Sequence, residues 1–134
     1  MSINDVSNSF YLKSIKAIET SQALIEMGDY SASISRSYYA MYYMLEALFI
    51  AKDLKSKTHS GKITMFRKEF ILTRIFDNSL ADSISQNFND RMIGDYEGLE
   101  NFDETSALND LEKAKYFAEA IAQYLIQNKF IQKI

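Results

Sequence analysis

Cysteine and proline are both absent from this chain of 134 residues, and glycine occurs only four times. Without cysteine there is no disulfide frame, no thiolate zinc site and no redox pair, which argues against a secreted protein and for a cytoplasmic address. Without proline, and with so little glycine, the usual helix breakers are missing, so long helices joined by short loops are expected. The longest apolar run is interrupted by Glu46 and Lys52, and Met1-Ser2-Ile3-Asn4-Asp5 lacks the pattern of a signal sequence, so no membrane insertion is expected. One histidine, with no carboxylate cluster at ligand spacing, leaves too few donors for a metal site. No phosphate-loop or dinucleotide glycine pattern occurs, and no cofactor is implied.

What is present is apolar and aromatic. Hydrophobic residues make up 47% of the chain, enough for a single domain over residues 1–134 to bury one substantial core. The stretch Tyr38-Tyr39-Ala40-Met41-Tyr42-Tyr43-Met44-Leu45 is apolar or aromatic around a whole helical circumference. Ile34, Tyr38, Met41, Tyr42, Leu45, Leu48 and Phe49 share one stripe, while Tyr39, Tyr43, Ala47, Ile50 and Ala51 cover the other sides. Such a helix needs cover on several sides, from the same chain or from a second protomer, and a homodimer is the expected state. A central core helix whose tyrosine hydroxyls stay wet accounts for the same pattern.

The helical periodicity predicts a first helix over about residues 8–27, carrying Tyr11, Ile15, Ile18, Leu24 and Ile25 and ended by Gly28. Ser31 caps the second helix, which runs to about Leu54. Thr58 caps a short third helix with Ile63, Phe66 and Phe70, and a fourth, starting at Asp77 or Asn78, places Leu80, Ile84, Phe88 and Met92 on one seam. Residues 94–102 read as an irregular acidic loop. Asp103 then caps a last helix to about Lys129, with Leu108, Leu111, Ala114, Ala118, Ile121, Leu125 and Ile126 facing inward. Together these predict an all-α fold: an antiparallel four-helix bundle with an additional short helix across one end.

The net charge of −3 is unevenly spread: residues 52–74 carry +5 and the remainder −8. The basic segment either attracts phosphate or an acidic partner, or is a set of solvated lysines. Within it lies Lys57-Thr58-His59-Ser60-Gly61-Lys62, where the only histidine sits just inside a helix start; free backbone N–H groups there suit phosphate capture, and a local hydrogen-bonding role is the alternative. Arg91 stands at the end of the fourth helix among Asp90, Asp95, Glu97 and Glu100, either held by carboxylates or directed at a phosphate. Arg36 enters the tyrosine-rich helix one turn before Tyr39 and Ala40, and pairing with Asp29 or Asp95 is its expected structural role.

In this order, Arg36-Ser37-Tyr38-Tyr39-Ala40-Met41-Tyr42, then Lys57-Thr58-His59-Ser60-Gly61 followed by Phe66 and Glu69-Phe70, then Arg91 with Asp95-Tyr96, the chain resembles small prokaryotic HEPN-domain proteins. The resemblance implies a helical bundle that dimerises and is often encoded beside a minimal nucleotidyltransferase, the two forming a toxin–antitoxin pair. It also implies that nucleotide or RNA is bound, for which Arg36, Lys57, His59 and Lys62 are the candidate contacts. In the ribonuclease branch of that superfamily an arginine is followed after four to six residues by a histidine. Arg91 matches the arginine, whereas the histidine's place falls to Tyr96, Glu97 or Gly98. An unperturbed tyrosine titrates around 10, so Tyr96 is a poor base near neutrality, and Asp95 would repel an RNA backbone. The expected function is a HEPN partner protein that binds a nucleotidyltransferase. The alternatives are a metal-independent ribonuclease using Arg91 at a dimer cleft with Asp95 or Tyr96, and nucleotidylation of Tyr96 by the partner.

Overall fold

A computed structural model describes residues 2–96 and 102–131, and among these every regular element is helical. Helix α1 spans Ile3–Glu26, α2 Tyr30–Ala51, α3 His59–Phe66, α4 Asn78–Tyr96 and α5 Glu104–Gln127; a π-helical turn, Arg67–Ile71, continues from α3. The expected all-α bundle with a short third helix is therefore the observed fold.

Helix α1 begins a turn earlier than the periodicity placed it, because Ser2 and Asp5 close a reciprocal cap: the Ser2 hydroxyl accepts from the Asp5 N–H and the Asp5 carboxylate accepts from the Ser2 N–H, both at 3.1 Å. Gly28, at φ +80°, turns the chain in a conformation that side chains resist. Asp29, not Ser31, then caps α2, accepting from the Ala32 N–H at 3.3 Å.

The hairpin so formed is zipped by serines. Ser7, Ser14 and Ser21 are buried on α1, and their hydroxyls donate to the carbonyls of Ala47 (2.7 Å), Ala40 (2.6 Å) and Ser33 (2.9 Å) on α2. Each step of seven up α1 is matched by seven back along α2, the signature of antiparallel helices. Small side chains on both faces let the backbones approach closely enough for a hydroxyl on one helix to reach a carbonyl on the other.

Against the opposite sides of α2 lie α4 and α5, so that no residue of α2 is exposed. Tyr38, Met41, Met44, Leu45, Leu48 and Phe49 form the centre of the core. This answers the need for cover inferred from the tyrosine-rich segment: the same chain provides it. One end of the bundle is plugged by Phe49, Phe66, Phe70, Phe76 and Phe117, whose rings pack at centroid distances of 5.6–6.4 Å. The wider π turn helps bury both Phe66 and Phe70.

Two expectations on α4 and α5 are corrected. Helix α4 does not stop at Gly94 but continues to Tyr96, since an isolated glycine lowers helix propensity by only about 1 kcal/mol. Met92 and Leu108 are exposed; Asn87 on α4 and Ala107, Asp110 and Phe117 on α5 are buried in addition to the inward residues expected. Asp103 caps α5 as expected, accepting from the Ser106 N–H at 2.8 Å.

Candidate functional site

The fold gathers cations onto the tyrosine rings of α2. Arg91, near the end of α4, is half-buried and donates from Nη2 to the Tyr39 hydroxyl at 3.0 Å, its guanidinium lying 5.2 Å from the Tyr39 ring and 5.9 Å from that of Tyr38. Arg36, one turn before Tyr39 and Ala40, lies 4.9 Å over the same Tyr39 ring. It does not pair with Asp29, and the side chain of Asp95, the other expected partner, lies outside the described residues; the helical phase turns Arg36 along the tyrosine face.

From α3, His59 stacks on Tyr42 at 4.3 Å and shares a 2.7 Å hydrogen bond between its Nδ1 and the Tyr38 hydroxyl. Thr58 sets this approach: its side chain accepts from the Gly61 N–H at 2.9 Å and starts α3 with His59 as its first residue. A Cβ on Gly61 would lie 2.7 Å from the Thr58 Oγ1 and 2.5 Å from the Ser56 Oγ, so glycine permits this cap. Lys62 turns inward, pairing with Glu46 at 3.3 Å, donating to the Ser56 carbonyl at 2.6 Å and lying 5.6 Å from the Tyr42 ring. Phe88 closes the back of the cluster, 5.5 Å from Tyr38 and 6.1 Å from His59.

These surroundings set the protonation states. Burial, then the charges of Arg91 and Lys62, hold His59 below its ordinary value of 6.5, with Glu46 opposing. The imidazole is thus neutral near pH 7, and its Nε2 has no hydrogen-bond partner among the described residues. Burial and the neighbouring Tyr42 push the Tyr38 phenol above the ordinary tyrosine range, so it stays protonated.

Of the expected site residues, Arg36, His59, Lys62 and Arg91 converge on Tyr38, Tyr39 and Tyr42, on two consecutive turns of α2. Lys57 is exposed and no contact ties it to this cluster. The side chains of Asp95 and Tyr96, and residues Glu97, Gly98 and Glu100, lie outside the described residues. The basic segment does not form one patch: Arg67 pairs with Asp82 at 3.4 Å, Lys52 lies over Phe130, and Lys62 points inward. Sequence reading missed the tyrosines themselves as ligands of the cations, although their i, i+3 and i, i+4 spacing could have indicated it.

Behind the site, Asn87 donates from Nδ2 to the Asp110 carbonyl at 3.1 Å and contacts the Met41 sulfur at 3.1 Å. Burial, with a hydrogen bond to Asp90 and that group's charge, pushes Asp110 up to about 8. Asp110 is thus a buried carboxyl on α5 that keeps its own proton near neutral pH.

Among the described residues the structure is thus an all-helical bundle in which an arginine and an imidazole converge on tyrosines to form a cationic aromatic basin. The HEPN domain family model matches residues 8–129, and the chain belongs to that family. A protein of Methanocaldococcus jannaschii named "Putative toxin MJ0142" is 33% identical over 120 residues, covering 90% of this chain and 82% of its own. A "UPF0332 protein" of Thermotoga maritima is 29% identical over 110 residues, covering 82% and 83%. A second Methanocaldococcus jannaschii protein, "Putative toxin MJ0605", is 27% identical over 108 residues, covering 81% and 80%.

Proposed function

We propose that this chain is the HEPN member of a toxin–antitoxin-like pair, that it dimerises and binds a minimal nucleotidyltransferase, and that its cationic aromatic basin holds a phosphate of nucleotide or RNA. The observation that carries the phosphate reading is the convergence of Arg36, His59, Lys62 and Arg91 on the Tyr38, Tyr39 and Tyr42 rings. A guanidinium offers a planar fork to phosphate oxygens, and tyrosine faces accept a stacked base, so the pair of groups suits a nucleotide better than a bare anion. The toxin names of two relatives and the HEPN family support the pairing.

Two measurements test it. Sizing chromatography of the chain with a co-encoded nucleotidyltransferase should give a complex, and separate elution would count against the pairing. RNA affinity should fall about tenfold or more in Arg91→Ala with helicity unchanged, as a charge-assisted contact is lost.

A second reading, a metal-independent ribonuclease, is favoured by His59: a neutral imidazole beside Arg91 is available although no histidine follows Arg91 at the expected spacing. Asp95 and Tyr96 remain candidates in that reading, with Tyr96 also a candidate for nucleotidylation. RNA cleavage should then survive a chelator and disappear in both Arg91→Ala and His59→Gln. Equal cleavage by wild type and variants would mark a contaminant.

A further inference from the structure

The row of rings does not end at Tyr39. Tyr43 follows at 5.9 Å and Phe10 of α1 at a further 6.3 Å, so a row of half-buried rings, tilted against one another, runs from His59 through Tyr42, Tyr39 and Tyr43 to Phe10. Cations accompany the row along its length. Beyond Arg91 and Arg36, Lys13 lies 5.0 Å from the Phe10 ring and 5.8 Å from that of Tyr43. Beside them is a depression of about 200 Å³ lined by Lys13, Lys16, Ala17, Thr20, Arg36 and Tyr43, with no carboxylate among its lining residues.

We infer that this depression is a second phosphate-binding subsite, contiguous with the Arg91 basin, and that the ligand is therefore an extended single-stranded polynucleotide and not a mononucleotide. The inference rests on the reading of the Arg91 basin as a phosphate site and adds to it a direction and a length. Arg36 faces both places, over Tyr39 at one end and lining the depression at the other, so the two sites share a wall. Single strands are held by aromatic platforms for successive bases beside a positive groove that follows the backbone, and stacking tolerates any base. A duplex offers its bases stacked and paired, and cannot present them to half-buried rings.

The test is the length dependence of affinity, read by fluorescence anisotropy with labelled oligouridylates from a dinucleotide to a dodecamer. Wild-type affinity should rise with length. In the double variant Lys13→Ala/Lys16→Ala, whose side chains are exposed, that rise should flatten, with about tenfold weaker binding of the longest oligomer. The slope of log Kd against log salt should be shallower by about 1.4, as two phosphate contacts are lost at about 0.7 each. Tyr43→Ala should also flatten the rise, whereas Tyr43→Phe should restore it. If the wild type binds long oligomers and the variants keep the full length dependence, the second subsite is overturned while the Arg91 reading stands. If the wild type binds no oligomer at all, the Arg91 reading itself is lost. A change of oligomeric state in the double variant would overturn the inference in favour of a contact between copies.

Discussion

At the scale of single residues, a half-buried base and a buried acid pull stability in opposite directions with pH. His59 has a folded pKa below 6.5, so the unfolded chain takes up its proton first on acidification. Its contribution is present above about pH 6.5 and lost as pH falls through the folded value. His59→Gln should remove the part of the melting-temperature decline that begins there. Asp110 behaves in the reverse sense: its folded pKa is raised from 3.8 to about 8, so its contribution is complete below 3.8 and is lost as pH rises through 8. Asp110→Asn should therefore raise stability at alkaline pH, by about 1 kcal/mol in a urea titration, and a loss there would show that the Asp110 carboxyl is not held in its neutral form. Tyr38→Phe keeps the ring and removes its hydroxyl from His59 Nδ1, which should cost about 1 kcal/mol.

At the scale of elements, the serine ladder makes a sharper prediction than the apolar core does. Ser14→Ala should cost about 1 kcal/mol, one buried hydrogen bond to the Ala40 carbonyl. Ser14→Leu adds methylenes where two backbones meet and should cost about 1–3 kcal/mol or more, measured by the same denaturation. If leucine were accepted as readily as alanine, close approach of α1 and α2 would not be what the serines provide. Caps and periodicity made much of this layer legible beforehand. Thr58 and Asp103 stand where local hydrogen bonding alone puts them, and Gly28 where a positive φ is needed. The ladder was not legible because serine reads as polar, and a polar residue every seven positions on α1 registers as noise in an apolar pattern. Leu108 misled for a related reason: the apolar count on α5 admits more than one phase, and packing against Ile34 and Ile25 chose the phase that buries Ala107 and Leu111.

For the molecule as a whole, the sequence named most of the charged partners of the site without their arrangement. Arg36, the His59 and Lys62 of α3, and Arg91 come from three separate parts of the chain, and only the packing of α3 and α4 on α2 makes neighbours of them. Lys13 and Lys16 went unnoticed because lysines on an amphipathic first helix look like its solvated side. Helix α2 as a reason to dimerise is weaker than it looked, since α1, α4 and α5 cover it; among the described residues Leu12, Met27, Leu72, Ile75, Met92, Leu108 and Tyr116 are the large apolar residues still open to a partner. Light scattering should give twice the monomer mass if the family's dimer forms, and a Leu72→Asp/Ile75→Asp variant that remains dimeric would place the contact elsewhere.

The seven-residue repeat shared by α1 and α2 means that their contact surface contains its own wrong alignments. Sliding the helices by one repeat would set Ser14 opposite Ala47 and Ser21 opposite Ala40, again small against small, in a shift of about 10 Å. The brevity of the Gly28-Asp29 corner is what forbids the slip. A longer flexible connection at that point would turn a single-register hairpin into a vernier with more than one stable stop.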